Sequence, residues 1–496
     1  MRRPFSAGVV IAVCVAAVCV PGIPASRASS VGSLSTSSSN WVHQLGTPSI
    51  DGGRGVSVDS AGNTYITGST DGTLPGSPDV NAGGSDVFIA KYDVDGNRLW
   101  VHQLGTTGRD EGCGLVVDDG GDSCVIGRTD GTLPGSPDVN AGVGDVFIAK
   151  YDVDGNRLWV HQLGTTADEY GYGVAHDAAG HCYMTGWTAG TLPGSPELNA
   201  GGFSDMFIAK YDLDGNRLWV HQLGTTGFDF GKGVGVDAAG NCYVTGGTEG
   251  TLPGSVESRS EPSDAFLAKY NTDGVKLWVH QFGAPGGNAG QAVAADPAGN
   301  TYVTGQTQGT LPGSSEQNAG GGDVFLTNYD AQGNRLWVHQ FGTPGGDAGF
   351  GVGLDDVGNS YVTGIVYGTL PGSPENNAGF MDAFVLKFNS DRVVAVSWSA
   401  SEASRLNQMA PSLGTNAAGV QKVSTYIISF LLGFSPPTPQ PQILPPPGTA
   451  VTYTDTWTPD EFSVLDRVTD RFVLNDSDAT RFSTQIVDYL LALGGH

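Results

Sequence analysis

Basic residues are scarce in this sequence. The 496 residues include only 24 Lys and Arg against 50 Asp and Glu, which gives a formal net charge of −26. Because nucleic-acid binding needs a basic face for the phosphates, this composition argues against a nucleic-acid partner. A strongly acidic surface favours solubility outside the cell, and it attracts cationic partners such as metal ions.

Cysteine is also scarce, and the sequence lacks the common motifs of metal, phosphate-binding and catalytic sites. No zinc-type spacing, phosphate-binding glycine loop or Ser-His-Asp arrangement stands out. Cys182 and Cys242 occupy equivalent positions of neighbouring sequence repeats, too far apart for a bridge, and Cys113 and Cys124 look out of register on one hairpin. Isolated buried thiols are therefore expected rather than disulfides.

The N-terminal apolar run, residues 7–20, is too short to cross a bilayer as a helix. It follows Arg2 and Arg3 and precedes Ser26-Arg27-Ala28, an order typical of a cleaved export signal. We therefore expect a signal peptide at residues 1–28, a Ser-rich leader at 29–40, and a mature chain without a transmembrane span. Its expected location is extracellular or at the cell surface.

Glycine and repetition are what the sequence has in abundance. The chain holds 76 Gly, and a segment close to LWVHQLG returns every 59 or 60 residues. A fixed period of this size indicates one supersecondary unit made many times. The tryptophans of this segment are Trp41, Trp100, Trp159, Trp219, Trp278 and Trp337.

Each unit predicts four short strands. In the first copy these are residues 55–59, 64–70, 86–92 and 97–104, and Asx-Gly turns between alternating runs are strong hairpin signals. Repeated four-stranded antiparallel sheets are typical of a β-propeller, whose radial closure protects the sheet edges. The predicted fold class is all-β: a propeller over residues 41–396 with a small α-helical C-terminal region.

The number of blades follows from the ends of the array. The third-strand motif beginning at Asp86 occurs six times, whereas the WVHQ strand leads the array and has decayed after Phe388. The simplest closure lets residues 41–45 supply the outer strand of the last blade. This predicts six blades, with seven as the alternative.

Three spaced motifs, YDxDGNRLWVHQxG, GVxVDxxGNxYVTG and DxFxAKY, resemble the Seven Bladed Beta Propeller (SBBP) repeat over about residues 41–395. The resemblance implies a propeller in exported, mostly bacterial proteins, and its name implies seven blades. The family carries no agreed enzymatic activity, so no catalytic residue is implied.

Two repeated residue sets invite a metal interpretation. The histidines of the WVHQ strand belong to different blades, so a structural role is favoured over shared metal ligation. Asp93, Asp95 and Asn97 have the alternate spacing of a calcium loop, but the bidentate Glu of that loop is missing. Hydrogen bonds within the turn explain these acids without a metal.

The loops opposite the tight turns are the predicted binding face. One polar residue per copy precedes the innermost strand, and together these residues predict an acidic collar for Ca²⁺ or a cationic ligand, unless each caps its own loop. They are Asp51, Asp110, Asp168, Asp229, Asn288 and Asp347. Tyr170, Phe228 and Phe350 vary between copies, and aromatic side chains beside carboxylates suit a carbohydrate or small ligand.

The C-terminal region differs from the repeats. We expect a partly helical apolar segment at 397–434, a Pro-rich linker at 435–450 and a helical hairpin at 451–496 that docks on the propeller or on a partner. Taken together, the sequence predicts a secreted, non-catalytic module that binds an unidentified protein or glycan and requires no cofactor. An extracellular carbohydrate-active hydrolase or lyase with acids at the channel mouth is the alternative, and a purely structural surface protein is the second alternative.

Overall fold

The computed structural model describes residues 41–388 except 258, 261 and 356–357. The regular elements in this part of the chain are β-strands joined by turns, and none is a helix that crosses a membrane. The predicted signal peptide, leader, apolar segment, Pro-rich linker and helical hairpin lie outside the described residues.

Twenty-three strands follow one another along the described residues. The first copy has β1 Asp51–Val58, β2 Thr64–Thr70, β3 Asp86–Tyr92 and β4 Arg98–Leu104. The second and third copies have β5 Asp110–Val117, β6 Ser123–Thr129, β7 Asp145–Tyr151, β8 Arg157–Leu163, β9 Glu169–His176, β10 Cys182–Thr188, β11 Asp205–Tyr211 and β12 Arg217–Leu223. The remaining strands are β13 Phe230–Val236, β14 Cys242–Thr248, β15 Pro262–Tyr270, β16 Lys276–Phe282, β17 Gly286–Ala295, β18 Thr301–Thr307, β19 Asp323–Tyr329, β20 Arg335–Phe341, β21 Ala348–Leu354, β22 Ser360–Val366 and β23 Asp382–Phe388.

The prediction of four-stranded antiparallel sheets is confirmed, but the prediction of six or seven separate blades is not. Strands β1 to β20 form four sheets: three with four strands and one with eight. The eight-stranded sheet arises because β15 and β17 begin early and pair in parallel through Pro262–Gly286 and Ser263–Gly287. Other copies make the same junction by one isolated bridge, such as Gly144–Asp168. As far as residue 388, where the described residues end, the sixth copy supplies β21 to β23.

Glycine allows the first strands of successive copies to approach closely. A Cβ added to Gly114 would lie 2.8 Å from the carbonyl oxygen of Tyr172, and one added to Gly173 would lie 2.8 Å from that of Lys232. A side chain at either position would push the backbones apart, because real Cβ contacts are wider. The repeated Gly therefore brings the first strands together at the loop ends discussed below.

The end of each sheet that carries its two tight turns, the turn end, is held to the next copy by repeated side chains. Trp100 Nε1 donates to the Val153 carbonyl oxygen at 3.2 Å, and Tyr65 Oη donates to that of Gly121 at 3.0 Å. Lys91 is 3% exposed and donates to the same Val153 oxygen at 3.2 Å. The tryptophans and the buried lysines thus serve the junctions between copies.

The junction between the second and third copies differs, and here the expectation of isolated thiols is wrong. Cys124 occupies the repeat position of Tyr65 and forms a disulfide with Cys182. The two Cα atoms are 6.6 Å apart. Cys113 Sγ lies 3.5 Å from Tyr170 Oη, and Cys242 is a buried thiol. The bridge joins positions that are not equivalent in the repeat, so comparing equivalent cysteines could not reveal it.

Candidate functional site

The connections that lead into the first strands meet at the loop end of each sheet, opposite the turn end. The Asp110 carboxylate accepts a hydrogen bond from the Thr106 N–H at 2.6 Å, and Asp229 accepts one from the Thr225 N–H at 2.6 Å. Both aspartates are 0% exposed, and this burial raises their pKa values. The two carboxylates therefore fix their own connections.

The other predicted collar residues follow the same pattern, with one exception. Asp51 accepts from the Thr47 N–H at 2.6 Å, Asn288 from the Ala284 N–H at 3.2 Å, and the Thr343 N–H donates to Asp347. Asn288 and Asp347 are each 1% exposed. Asp51 is half-buried. Each of these side chains therefore caps its own connection, and a role in ligand binding stays a prediction.

Asp168 is the exception because the third connection is aligned one residue differently. Its capping residue is Glu169, which accepts from the Thr165 N–H at 2.7 Å and is 0% exposed. The Asp168 side chain is 38% exposed and lies 2.5 Å from Arg128 Nη1. Asp168 therefore does not cap its connection, and its side chain lies beside the Arg128 guanidinium group.

Half-buried aromatic side chains lie together where the loop ends of the second, third and fourth copies meet. We call Tyr170, Tyr172, Trp187, Phe228 and Phe230 the aromatic cluster. Ring centroids are 6.5 Å apart for Tyr170 and Trp187, 6.1 Å for Trp187 and Phe228, and 5.4 Å for Phe228 and Phe230. The planes of Tyr170 and Trp187 differ by only 13°. These rings form a continuous row on three adjoining elements of the scaffold.

Cations lie against this row. Lys232 Nζ is 3.2 Å from the centroid of the Tyr172 ring, and Arg128 Cζ is 5.9 Å from that of Tyr170. Both distances fall within the range of cation–π attraction. Arg128 also donates to Asp130 at 2.9 Å and is thereby bound by two acids.

Glu111 joins three copies at one end of the row. Tyr170 Oη donates to its carboxylate at 2.6 Å, Arg109 Nη2 at 2.7 Å and Arg54 Nη2 at 3.2 Å. Burial opposes ionisation of Glu111, but the hydrogen bonds from Tyr170 and Arg109 and the charges of Arg54 and Arg109 outweigh it and lower its pKa. We call Arg54, Arg109 and Glu111 the guanidinium cluster.

Three of the four ligand-binding candidates outside the caps meet here: Tyr170 and Phe228 lie in the aromatic cluster, and Asp168 joins it through Arg128. Phe350 is half-buried on β21 in the sixth copy, at the repeat position of Tyr172 and Lys232. The aromatic prediction has thus gained a defined geometry, and its ligand-binding role stays a prediction.

The sequence comparison missed Trp187, Arg109 and Arg128. Trp187 pairs with Tyr170 across β10 and β9, as Arg128 pairs with Glu111 across β6 and β5. The signal was present, because the position of Trp187 holds Ser69, Gln306 or Ile365 in other copies. Variation at one repeat position marks residues that the scaffold itself does not require.

Five of the six repeated histidines contact an acid of their own copy. His102 Nδ1 lies 3.0 Å from Asp79 Oδ2, and His280 Nδ1 lies 2.7 Å from Glu257 Oε1. Within the described residues, no group of three or more His, Cys, Asp or Glu side chains is arranged to hold a metal ion. In the repeated turn, the side chain of Asn97 lowers the pKa of Asp93 by a hydrogen bond, as expected for a self-contained turn.

Comparison with known proteins identifies the repeat. The SBBP family, described as a beta-propeller repeat, matches residues 40–75, 218–252, 277–312 and 336–364. An uncharacterized WD repeat-containing protein of Acanthamoeba polyphaga mimivirus is 27% identical over 41% of this chain and 18% of its own length. Regulatory protein FlaEY of Caulobacter vibrioides is 24% identical over 68% of this chain and 39% of its own length.

These relatives are much longer than the matched part, so the chain spans less than two fifths of either. Among solved structures, a gluconolactonase from Xanthomonas campestris aligns with a TM-score of 0.32 and 14% identity, covering 63% of this chain and 82% of that one. The likeness is too low to support any statement about activity.

Proposed function

Because this chain carries SBBP beta-propeller repeats, we propose that it is a non-catalytic binding or scaffold module outside the cell or at its surface, and that the aromatic cluster binds a glycan. The observation that carries this proposal is the row Tyr170, Trp187 and Phe228. Its ring faces are half-buried at the loop end, where residues differ between copies. Flat rings next to carboxylates suit the apolar faces and hydroxyl groups of a sugar.

The fixed positions of these aromatic side chains support glycan binding by the row. Tyr170 and Trp187 lie directly opposite each other on paired strands, and Phe228 adjoins a connection held by buried Asp229. Aromatic side chains lose little conformational entropy on binding when their positions are already fixed. A preorganised row of this kind contributes contact area without prior ordering of a loop.

Catalysis draws less support from the same geometry. A glycosidase needs two carboxyl groups that flank a scissile bond, whereas Asp110 and Glu169 are buried in their connections. Asp168 is accessible but lies against Arg128. A hydrolysis and lyase screen beside the binding assay separates the enzyme alternative, and absence of both activities favours the purely structural one.

We also propose that the scaffold comprises six repeat units. Six copies of the third strand support this count, and Trp41 begins the array in the manner of the later tryptophans. Trp41 Nε1 donates to the Val94 carbonyl oxygen at 3.2 Å, as Trp100 donates to that of Val153. The helical tail is proposed to dock on the scaffold or on a partner.

The test is a glycan array followed by calorimetric titration of the glycans that bind, with Trp187→Gln as the key variant. The fifth copy carries Gln306 at this repeat position, so Gln is compatible with the fold. We expect affinity to fall about tenfold or more, the loss of one stacked ring. Gln306→Ala is the matched control and should bind like the unaltered chain. Equal binding by Trp187→Gln, or no glycan binding by the unaltered chain, contradicts the proposal.

A further inference from the structure

Two buried acids of successive copies meet beside Phe228. The Asp229 N–H donates to the Ser204 carbonyl oxygen at 3.0 Å, and Ser204 Oγ donates to the Asp229 carbonyl oxygen at 3.1 Å. Asp205 follows Ser204 directly and is 1% exposed, while Asp229 is 0% exposed. We call a third-strand Asp and the cap acid of the next copy that lies beside it an acid pair.

One carboxylate oxygen of this acid pair lacks a hydrogen bond. Asp205 Oδ2 accepts from the Ala200 N–H at 3.0 Å, whereas Asp205 Oδ1 is buried and has no hydrogen-bond partner in the described part of the chain. An ionised carboxylate is poorly compensated in such a place, but a protonated one can donate to the neighbouring carboxylate. Burial, and then the charge of Asp229, raise the pKa of Asp205 to about 6, and burial raises the pKa of Asp229 as well. The pair therefore favours one bound proton in mildly acidic solution.

The groups around this acid pair do not take the place of that proton. Backbone, amide and hydroxyl groups donate to its carboxylates. The charged side chains nearby are Glu249, Glu197, His221 and Lys276. His221 is bound to Glu197, and Lys276 donates to a backbone carbonyl oxygen. Uptake of a proton is therefore the step that lowers the charge of the pair.

A second acid pair lies beside Tyr170. The Glu169 N–H donates to the Gly144 carbonyl oxygen at 3.0 Å, which sets Glu169 beside Asp145. Asp145 is 1% exposed and Glu169 is 0% exposed. Burial, and then the charge of Glu169, raise the pKa of Asp145 to about 6. The charged side chains near this pair are Asp138, His161, Asp168, Asp130 and Arg128.

Other junctions offer comparisons away from the aromatic row. Asp323 and Asp347 form an acid pair of the same kind, and a Cβ added to Gly342 would meet both carboxylates. Between the fourth and fifth copies, Asn288 occupies the cap position beside Asp264, and both side chains are buried. The fold is therefore compatible with one uncharged member in such a pair.

We propose that pH regulates the aromatic cluster through the two acid pairs beside Tyr170 and Phe228. With one proton on each pair, its carboxyl groups hydrogen-bond to each other and hold the adjoining connections in place. When the protons are lost, two buried negative charges repel each other in each pair, and the connections loosen. The inference rests on the proposed glycan-binding function and adds its regulation: the site binds more tightly in mildly acidic than in alkaline solution.

Amide hydrogen exchange of the full chain tests the acid pairs without a ligand. The N–H groups of Thr225 and Thr165 donate to Asp229 and Glu169, so their exchange reports whether the connections are held. After correction for the intrinsic rate, we expect both to exchange about tenfold more slowly at pH 5 than at pH 8. Equal protection at the two pH values overturns the inference.

Variants and a glycan complete the test. The double variant Asp145→Asn, Asp205→Asn cannot titrate at these positions and should show no pH dependence, whereas Asp323→Asn alters a pair away from the row and should behave like the unaltered chain. The oligosaccharide that binds most tightly on the array should bind the unaltered chain about fivefold more tightly at pH 5 than at pH 8. If it binds equally at both, the regulation is overturned and the glycan-binding proposal stands. If no oligosaccharide binds at either pH, both fail.

Discussion

The two ends of the sheets have opposite characters. At the turn end, the same residues recur in nearly every copy: an Asp that closes its own turn, a buried Lys, and a Trp or Tyr that donates to the next copy. At the loop end, the caps recur, but the residues between them change from copy to copy, and in the second to fourth copies they are large or charged. Residues that recur at a repeat position therefore stabilise the fold, and positions whose residues vary indicate the candidate site.

The repeated lysine should show the largest effect on stability. Lys210 Nζ lies 3.2 Å from Asp177 Oδ2, and the two side chains are 5% and 8% exposed. Lys210→Met leaves Asp177 buried with one fewer partner, so the free energy of unfolding should fall by about 4 kcal/mol. Urea denaturation measures this loss.

The control for this prediction is an exposed cation of the same sheet. Arg217 donates to the Pro193 carbonyl oxygen at the surface, and Arg217→Met should cost less than about 1 kcal/mol. Equal losses from the two variants would contradict the scaffold role assigned to the turn end. Glycan binding by Lys210→Met, measured where the variant is folded, should be unchanged.

The disulfide departs from the repeated pattern at the turn end, and it should show the next largest effect. Replacing Cys124 and Cys182 by Ala opens a covalent link across 58 residues, which should lower the free energy of unfolding by about 3 kcal/mol. The double variant Cys124→Tyr, Cys182→Thr restores the residues of the first copy, Tyr65 and Thr64. It should lose less than the double Ala variant. Equal losses would show that a tyrosine at this position, which in the first copy donates to the Gly121 carbonyl oxygen, does not substitute for the disulfide.

A smaller, pH-dependent effect is expected at the repeated aspartate that begins the third strand of each copy. Burial raises the pKa of Asp205 to about 6, against 3.8 for the ordinary group. Between these pH values the folded chain holds a proton that the unfolded chain has lost, so this group stabilises the fold more at pH 4 than at pH 7.

Asp205→Asn cannot titrate but keeps an acceptor for the Ala200 N–H. The stability of the unaltered chain relative to this variant should therefore increase by about 2 kcal/mol as the pH falls from 7 to 4. Asp145→Asn should behave alike, since burial raises the pKa of Asp145 to about 6 as well. Urea midpoints over this pH range test it, and a constant difference would contradict it. Trp187→Gln, at the variable end, should change stability least.

Much of the fold was predictable because it is local. The predicted third strand, residues 86–92, matches β3, and the predicted fourth, 97–104, differs from β4 by one residue. Asx-Gly turns and alternating apolar and polar residues involve only a few neighbouring residues. The strands of each copy can therefore be predicted from the sequence of that copy. The first strand was predicted too short, as 55–59 instead of Asp51–Val58, because its glycines obscure the alternation.

The site was predictable only in part. Variation between copies selected Tyr170 and Phe228, which the structure brings into one row, and their ligand-binding role stays a prediction. It aligned Asp168 with the capping residues of other copies, but the cap of the third copy is Glu169 one position later, and only the hydrogen bond from Thr165 reveals that shift. The role of Trp187 depends on its partner across the strand pair.

By itself, the sequence determined the repeating four-stranded unit, because turn chemistry and strand alternation are properties of neighbouring residues. Tertiary structure alone decided which residues of different copies meet: Cys124 with Cys182, Glu111 with Tyr170, and Arg54 with Glu111. Most of these pairs lie about one repeat apart, and their side chains meet only once glycine lets the first strands approach closely. The physical reason is that contact between copies depends on packing, which no local pattern encodes.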